Sequence, residues 1–169
     1  MIFSSQRKKL SINSKRIKNL KAEKNKLAKN KLIIKSKTEN LSEIRDFISS
    51  AAGYIGFSKE TTGNIILAVD EACTNIIKHA YQYSPDGEIT LILKTAKDTF
   101  TIEITDHGKS FEPGLIPNPD LKKYLDQRRV GGLGMYLMKT LMDEVKYKSV
   151  PGKFNTVSLS KHINSNGSK

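Results

Sequence analysis

The chain has 169 residues, enough for one domain with a hydrophobic core and too few for two ordinary ones. Its formal net charge of +12 is concentrated: residues 1–40 hold 13 Lys/Arg against 2 Asp/Glu, whereas residues 41–169 hold 16 against 15. A nearly neutral body excludes a basic nucleic-acid surface across the domain, and no direct nucleic-acid contact is expected. Cys73 is the only cysteine, which excludes an intramolecular disulfide and suits a reducing compartment. The sequence has no apolar run of 18 residues and no signal-peptide core at its start, so a cytoplasmic protein without a membrane span is expected.

Residues 1–30 are rich in Lys, Asn and Ser with scattered apolar positions, and read as a basic, disordered or weakly helical extension. Leu32, Ile33 and Ile34 then mark a first strand over residues 31–36. Asn40-Leu41-Ser42-Glu43 has the form of a capping box. Behind it Leu41, Ile44, Phe47, Ile48, Ala51, Ala52 and Ile55 follow helical spacing, with Gly53 and Gly56 at a fraying end. Ser58 caps a long second helix that is expected to run to about Tyr83. Ser84-Pro85-Asp86-Gly87 is a turn, followed by strands over 88–95 and 99–105 joined at Ala96-Lys97-Asp98.

After Asp106 comes a stretch of about 25 residues punctuated by Pro113, Gly114, Pro117 and Pro119, long enough to be a lid or binding loop. Asn118-Pro119-Asp120 within it has the chemistry of a short helix start. A third helix is expected from Gly134 to about Met142. Strands over 145–149 and 154–160 then form a hairpin around Pro151-Gly152. The working domain is thus read as residues 31–161, with residues 162–169 a polar tail fraying from Ile163. Strands that cluster after two long helices argue for α+β: a two-layer sandwich, with helices on one face of a mixed, mostly antiparallel sheet.

Three segments carry chemistry. Glu71 and Asn75, four residues apart, fall on one face of the second helix. The carboxylate can take a proton and the amide oxygen can hold a hard cation. Asp106-His107-Gly108 follows an alternating strand, and Gly131-Gly132-Leu133-Gly134 opens the third helix, where unhindered amides suit phosphate. Together they suggest a nucleotide site that uses Mg²⁺. Asp70 is turned about 100° from Glu71 and is assigned no chemical role. Cys73 reads as a small core residue. His79 and His107 have no partner that the sequence identifies. Arg128 and Arg129 stand beside the glycines, either reaching the γ-phosphate or remaining solvated.

These segments, in order and spacing, resemble the ATP-binding domain of the GHKL (Bergerat-fold) superfamily, and within it the bacterial anti-sigma-factor serine kinases. Asp70-Glu71-Ala72-Cys73-Thr74-Asn75 with His79-Ala80-Tyr81 is similar to the N box. Asp106-His107-Gly108-Lys109-Ser110-Phe111 is similar to the first glycine box, and Gly131 to Leu137 with Leu141 to Val145 to the second. The resemblance implies a Bergerat-type ATP-binding fold with ATP and Mg²⁺ as ligands. It implies Glu71 as general base, Asn75 as metal ligand and Asp106 as adenine reader, with Gly108 letting the backbone pass the base. Gly131, Gly132, Leu133 and Gly134 would form the phosphate loop. It further implies a serine on a STAS-type anti-sigma-factor antagonist as substrate, a sigma factor as sequestered partner, and a homodimer using the first strand and helix. One alternative is a nucleotide-dependent switch without phosphotransfer, although a pure clamp has no need of Glu71. Another is a histidine-kinase-type ATPase domain working in trans, since residues 1–30 contain no histidine.

Overall fold

Alternation of apolar and polar residues builds one half of this fold, and helical spacing builds the other. A computed structural model describes residues 30–110 and 133–163. In chain order these form β1 (Lys31–Lys35), a 3-10 turn (Thr38–Asn40), α1 (Leu41–Ile55) and α2 (Lys59–Asn75). Then follow β2 (Glu88–Ala96), β3 (Thr99–Asp106), α3 (Gly134–Leu141), β4 (Glu144–Val150) and β5 (Phe154–His162). The sheet order is β1-β2-β3-β5-β4, and the β2–β3, β3–β5 and β5–β4 ladders are antiparallel.

Period-two alternation puts Ile89, Leu91 and Leu93 beside Phe100, Ile102 and Ile104, and these beside Val157 and Leu159, on one buried face. Ile44 and Ile48 of α1, Ile65, Val69 and Cys73 of α2, and Met135 and Met138 of α3 are buried in the same core. Each such large side chain taken from water stabilises the fold by about 1.5–3 kcal/mol. The opposite face of the sheet is polar. Thr105 bonds Thr156 at 3.0 Å, Thr101 bonds Ser160 at 3.0 Å, and Lys94 pairs with Glu103 at 2.6 Å. This is the expected α+β sandwich. Among the described residues no helix is long and apolar enough to cross a membrane.

Several helix ends depart from the sequence reading. Ser58 caps α2 as expected, its hydroxyl accepting from the Thr61 amide at 3.1 Å. Asn40 does not cap α1. The 3-10 turn already holds it in helical dihedrals (φ −77°, ψ −8°), whereas a cap needs an extended backbone. Its side-chain amide donates to the Lys35 carbonyl instead. Gly56 does not fray α1; it stops the helix at φ 93°, its amide and that of Phe57 both donating to Ala52 O.

The α-helical winding of α2 ends at Asn75, well short of Tyr83, and Ile76–Ala80 continue as a π-helical turn. Wide winding shows in the Tyr81 amide bonding to Ile76 O and the Tyr83 amide to Ile77 O. At the other end of the chain, β5 runs to His162, beyond the expected Ser160. The Ile163 amide donates to Asp98 O at 2.6 Å and its side chain packs on the core, so Ile163 is anchored and not part of a frayed tail.

Candidate nucleotide site

Helical spacing brings Glu71 and Asn75 to one face of α2, half-buried, and α3 packs against that helix. The approach is close at Gly134. A Cβ there would overlap Glu71 Oε2 and come within 3.4 Å of Asn75 Nδ2. The amide-bearing start of α3 therefore rests on the carboxylate and the amide, an approach that any side chain here would disturb by pushing the carboxylate aside. Leu133 precedes it in helical dihedrals, its carbonyl accepting the Leu137 amide at 2.8 Å. Neither Glu71 nor Asn75 spends its side chain on a hydrogen bond or ion pair among the described residues. Gly131 and Gly132, Arg128 and Arg129, and the short helix expected at Asn118-Pro119-Asp120 lie outside the described residues.

Asp106 ends the apolar row of β3, on the core-facing side, between Ile89 and Asn155. It is only 3% exposed. Its Oδ1 accepts two bonds, from the Gly108 amide at 2.8 Å and from Asn155 Nδ2 at 3.0 Å. Its Oδ2 accepts none among the described residues. A carboxylate oxygen that takes no donor from the described residues can accept one from a ligand.

The end of α2 holds the turn that follows Asp106. Gly108 lies on the Ala80 backbone, where a Cβ would stand 2.6 Å from Ala80 O, and the Lys109 amide donates to that same oxygen at 2.9 Å. Tyr81 works beside it. Its hydroxyl accepts from the His107 amide at 3.0 Å and donates to Glu88 O at 2.7 Å, while its ring covers Gly87. One helix therefore presents Glu71 and Asn75 along its length and props the Asp106-His107-Gly108 turn with its last residues. His107 is also partnered, through Nδ1 to Lys153 O at 2.7 Å.

The neighbouring groups sort themselves out. Asp70 pairs with Arg45 Nε at 2.6 Å and ties α2 to α1, away from Glu71. Burial, and then the charge of Asp70, push the Cys73 thiol far up, so it stays protonated inside the core and is no nucleophile. Among the described residues no three His, Cys, Asp or Glu gather as a metal cluster. An Mg²⁺ site of this kind asks for less, because Mg²⁺ keeps waters and takes one or two protein oxygens; the hard, neutral amide oxygen of Asn75 fits that demand. Sequence reasoning missed three supports of the site: Asn155, Ser149, whose hydroxyl donates to Asn155 Oδ1 at 2.7 Å, and the Tyr81 hydroxyl. Tyr81 stands in the N-box segment, but nothing local to Asn155 marks it, since its neighbour Asp106 is set by strand register alone.

Comparison with known proteins bears on this geometry. Residues 34–161 match the histidine kinase-like ATPase domain family. The serine-protein kinase RsbW of Bacillus licheniformis is 38% identical over 135 residues, 76% of this chain and 82% of that protein. RsbW of Listeria monocytogenes is 36% identical over 137 residues, 79% of this chain and 86% of the relative. Among solved structures, the SiaB–SiaC complex of Pseudomonas aeruginosa superposes with a TM-score of 0.59 at 13% identity, covering 86% of this chain and 98% of that one. The RsbU and RsbW domains of Rv1364c from Mycobacterium tuberculosis give 0.56 at 15%, covering 78% of this chain and 31% of that longer one. These two likenesses show the fold. The chain belongs to the histidine kinase-like ATPase domain family and, within it, to the ATP-using anti-sigma-factor serine/threonine-protein kinases.

Proposed function

We propose that Glu71, Asn75 and the loop 131–134 grip the triphosphate end of ATP, that Asp106 and Gly108 hold the adenine, and that the γ-phosphoryl passes to a serine of a STAS-type anti-sigma-factor antagonist. The observation that carries this reading is the close approach of Gly134 to Glu71 and Asn75, which joins a carboxylate, a side-chain amide and a helix N-terminus in one place. Phosphoryl transfer asks the protein chiefly for alignment, charge stabilisation and a base near the attacking hydroxyl. Glu71 takes the serine proton, its oxygens being uncommitted among the described residues. Asn75 holds Mg²⁺ through its side-chain oxygen; bound there, the ion neutralises phosphate charge. The amides of Gly131, Gly132, Leu133 and Gly134 cradle phosphate oxygens at the start of α3. Asp106 Oδ2 accepts the exocyclic amine of adenine, and a carboxylate, having no donor, disfavours a keto group there.

The names of the relatives support serine phosphorylation. The resemblance of the three motifs to anti-sigma-factor kinases supports the downstream role, an anti-sigma factor that sequesters a sigma factor while unphosphorylated antagonist is scarce. The protein works in the cytoplasm as a homodimer through β1 and α1. The place of β1 at the sheet edge, with Ile33 48% exposed, supports that contact. The working domain runs from residue 31 through β5 to Ile163, and the basic residues 1–30 stand apart from catalysis.

The test incubates the purified protein with γ-labelled ATP, Mg²⁺ and a STAS protein. Label is expected on a serine. It is lost in Glu71→Ala with ATP binding retained, and lost in Asn75→Ala together with Mg²⁺-dependent binding. If Asn75→Ala keeps both transfer and Mg²⁺-dependent binding, the metal assignment is wrong. Label on histidine, or tight binding without transfer to any candidate, would remove the serine-kinase mechanism. Deleting residues 1–30 should leave ATP affinity and transfer nearly unchanged.

A further inference from the structure

We propose that Asn155 is a positioning residue that fixes the rotation of Asp106, and thereby sets the preference of the site for a purine nucleotide carrying an exocyclic amine. This rests on the reading of Asp106 as the adenine contact. Asn155 stands opposite Asp106 across the β3–β5 ladder. Its Nδ2 donates to Asp106 Oδ1 at 3.0 Å and also lies 3.4 Å from both Gly108 O and Lys109 O. Three acceptors therefore face the same end of the side chain, and only the NH₂ end of an amide can satisfy them. The opposite end is held by Ser149, whose hydroxyl donates to Asn155 Oδ1 at 2.7 Å. Reversing the amide would set its carbonyl oxygen against a carboxylate and two carbonyls, so Ser149 and the turn together allow one orientation.

That orientation decides which carboxylate oxygen is left for a ligand. The Gly108 amide and Asn155 Nδ2 converge on Oδ1, and rotating the carboxylate would break both bonds. Oδ2 remains as the acceptor, on a side chain that is otherwise buried. Asn155 binds the Gly108 and Lys109 backbone as well, so one amide registers the carboxylate against the turn that borders the base.

The test compares the affinity of the full chain for ATP and for purine riboside triphosphate, which lacks the exocyclic amine. The wild type should favour ATP by about 10-fold or more, the range for a hydrogen bond to a charged group, and Asp106→Ala should abolish the preference. Asn155→Leu removes the donor to Oδ1 at similar volume, and the preference should fall to within about 2-fold.

A preference in Asn155→Leu equal to the wild type overturns the proposal. Should that variant not fold, Ser149→Ala decides: with its melting temperature kept, the preference drops severalfold if the amide needs its anchor, and an unchanged preference overturns the proposal. A wild type that binds both nucleotides equally, or an Asp106→Ala variant that still prefers ATP, refutes the reading of Asp106 and the role of Asn155 with it. A preference that needs Asp106 and ignores Asn155 refutes the positioning role alone.

Discussion

The backbone of Gly134 and the carboxylate of Glu71 occupy adjoining space that a single methyl group would fill. The atom met first is Oε2, the far end of a flexible side chain, so the protein can yield there by turning the carboxylate aside.

Gly134→Ala should therefore leave the fold intact. The displaced carboxylate should slow transfer about 10- to 100-fold, as misplacement of a base by an ångström does. Steady-state phosphorylation and a thermal melt on the same sample check both halves. A normal rate would show that Glu71 is not the base.

Gly108→Ala should behave in the opposite way. Its new Cβ would meet the Ala80 carbonyl and Cβ, parts of a helix end that cannot swing aside. Overpacking of this kind costs about 1–3 kcal/mol, and the Lys109–Ala80 bond is lost with it. Urea denaturation should show that loss, together with a large fall in ATP affinity.

Tyr81→Phe removes a hydroxyl that bonds the Glu88 and His107 backbones while keeping the ring over Gly87. A loss of about 1–3 kcal/mol in chemical denaturation is expected, since the His107 amide gives up its partner. ATP should bind severalfold more weakly as the Asp106 turn loosens, with the transfer rate of the saturated enzyme nearly unchanged.

Asp143, between α3 and β4, should make acid stability visible. Partial burial pushes its carboxyl up, but the His162 amide at 2.7 Å and Lys161 Nζ at 2.9 Å outweigh that and hold it below the ordinary carboxylate range. A carboxyl with a lowered folded pKa stabilises above its unfolded value, about 3.9, and loses that contribution as pH falls through the folded one. Asp143→Asn should cost about 1 kcal/mol at neutral pH. The gap to wild type should close below about pH 4, read from urea midpoints at successive pH values.

What the sequence made legible was whatever depends on neighbours along the chain. The Ser58 cap, the alternation of Phe100, Ile102 and Ile104, and the shared face of Glu71 and Asn75 all follow from local periods of two or 3.6. Asn40 misled because its side-chain chemistry suits a cap, while the turn before it had already fixed its dihedrals. The seating of Gly134 on Glu71 depends on how α3 approaches α2, and the meeting of Asn155 with Asp106 depends on register across residues 49 apart. No local pattern encodes either. The change of winding after Asn75 was equally hidden, because Ile76-Ile77-Lys78-His79-Ala80 reads as ordinary helix until Ala80 is seen to serve Lys109.

That wide turn makes chain length a working dimension. Deleting one residue between Ile76 and Ala80 would let regular winding bring the chain to nearly the same place, because the wide turn covers about the rotation of an α turn with one residue more. Deleting one from Lys59–Asn75 would instead swing everything downstream by about 100° and carry the Ala80 oxygen and the Tyr81 phenol off their targets. The segment takes up one extra residue, and its wide winding matters more to the site than its residue types.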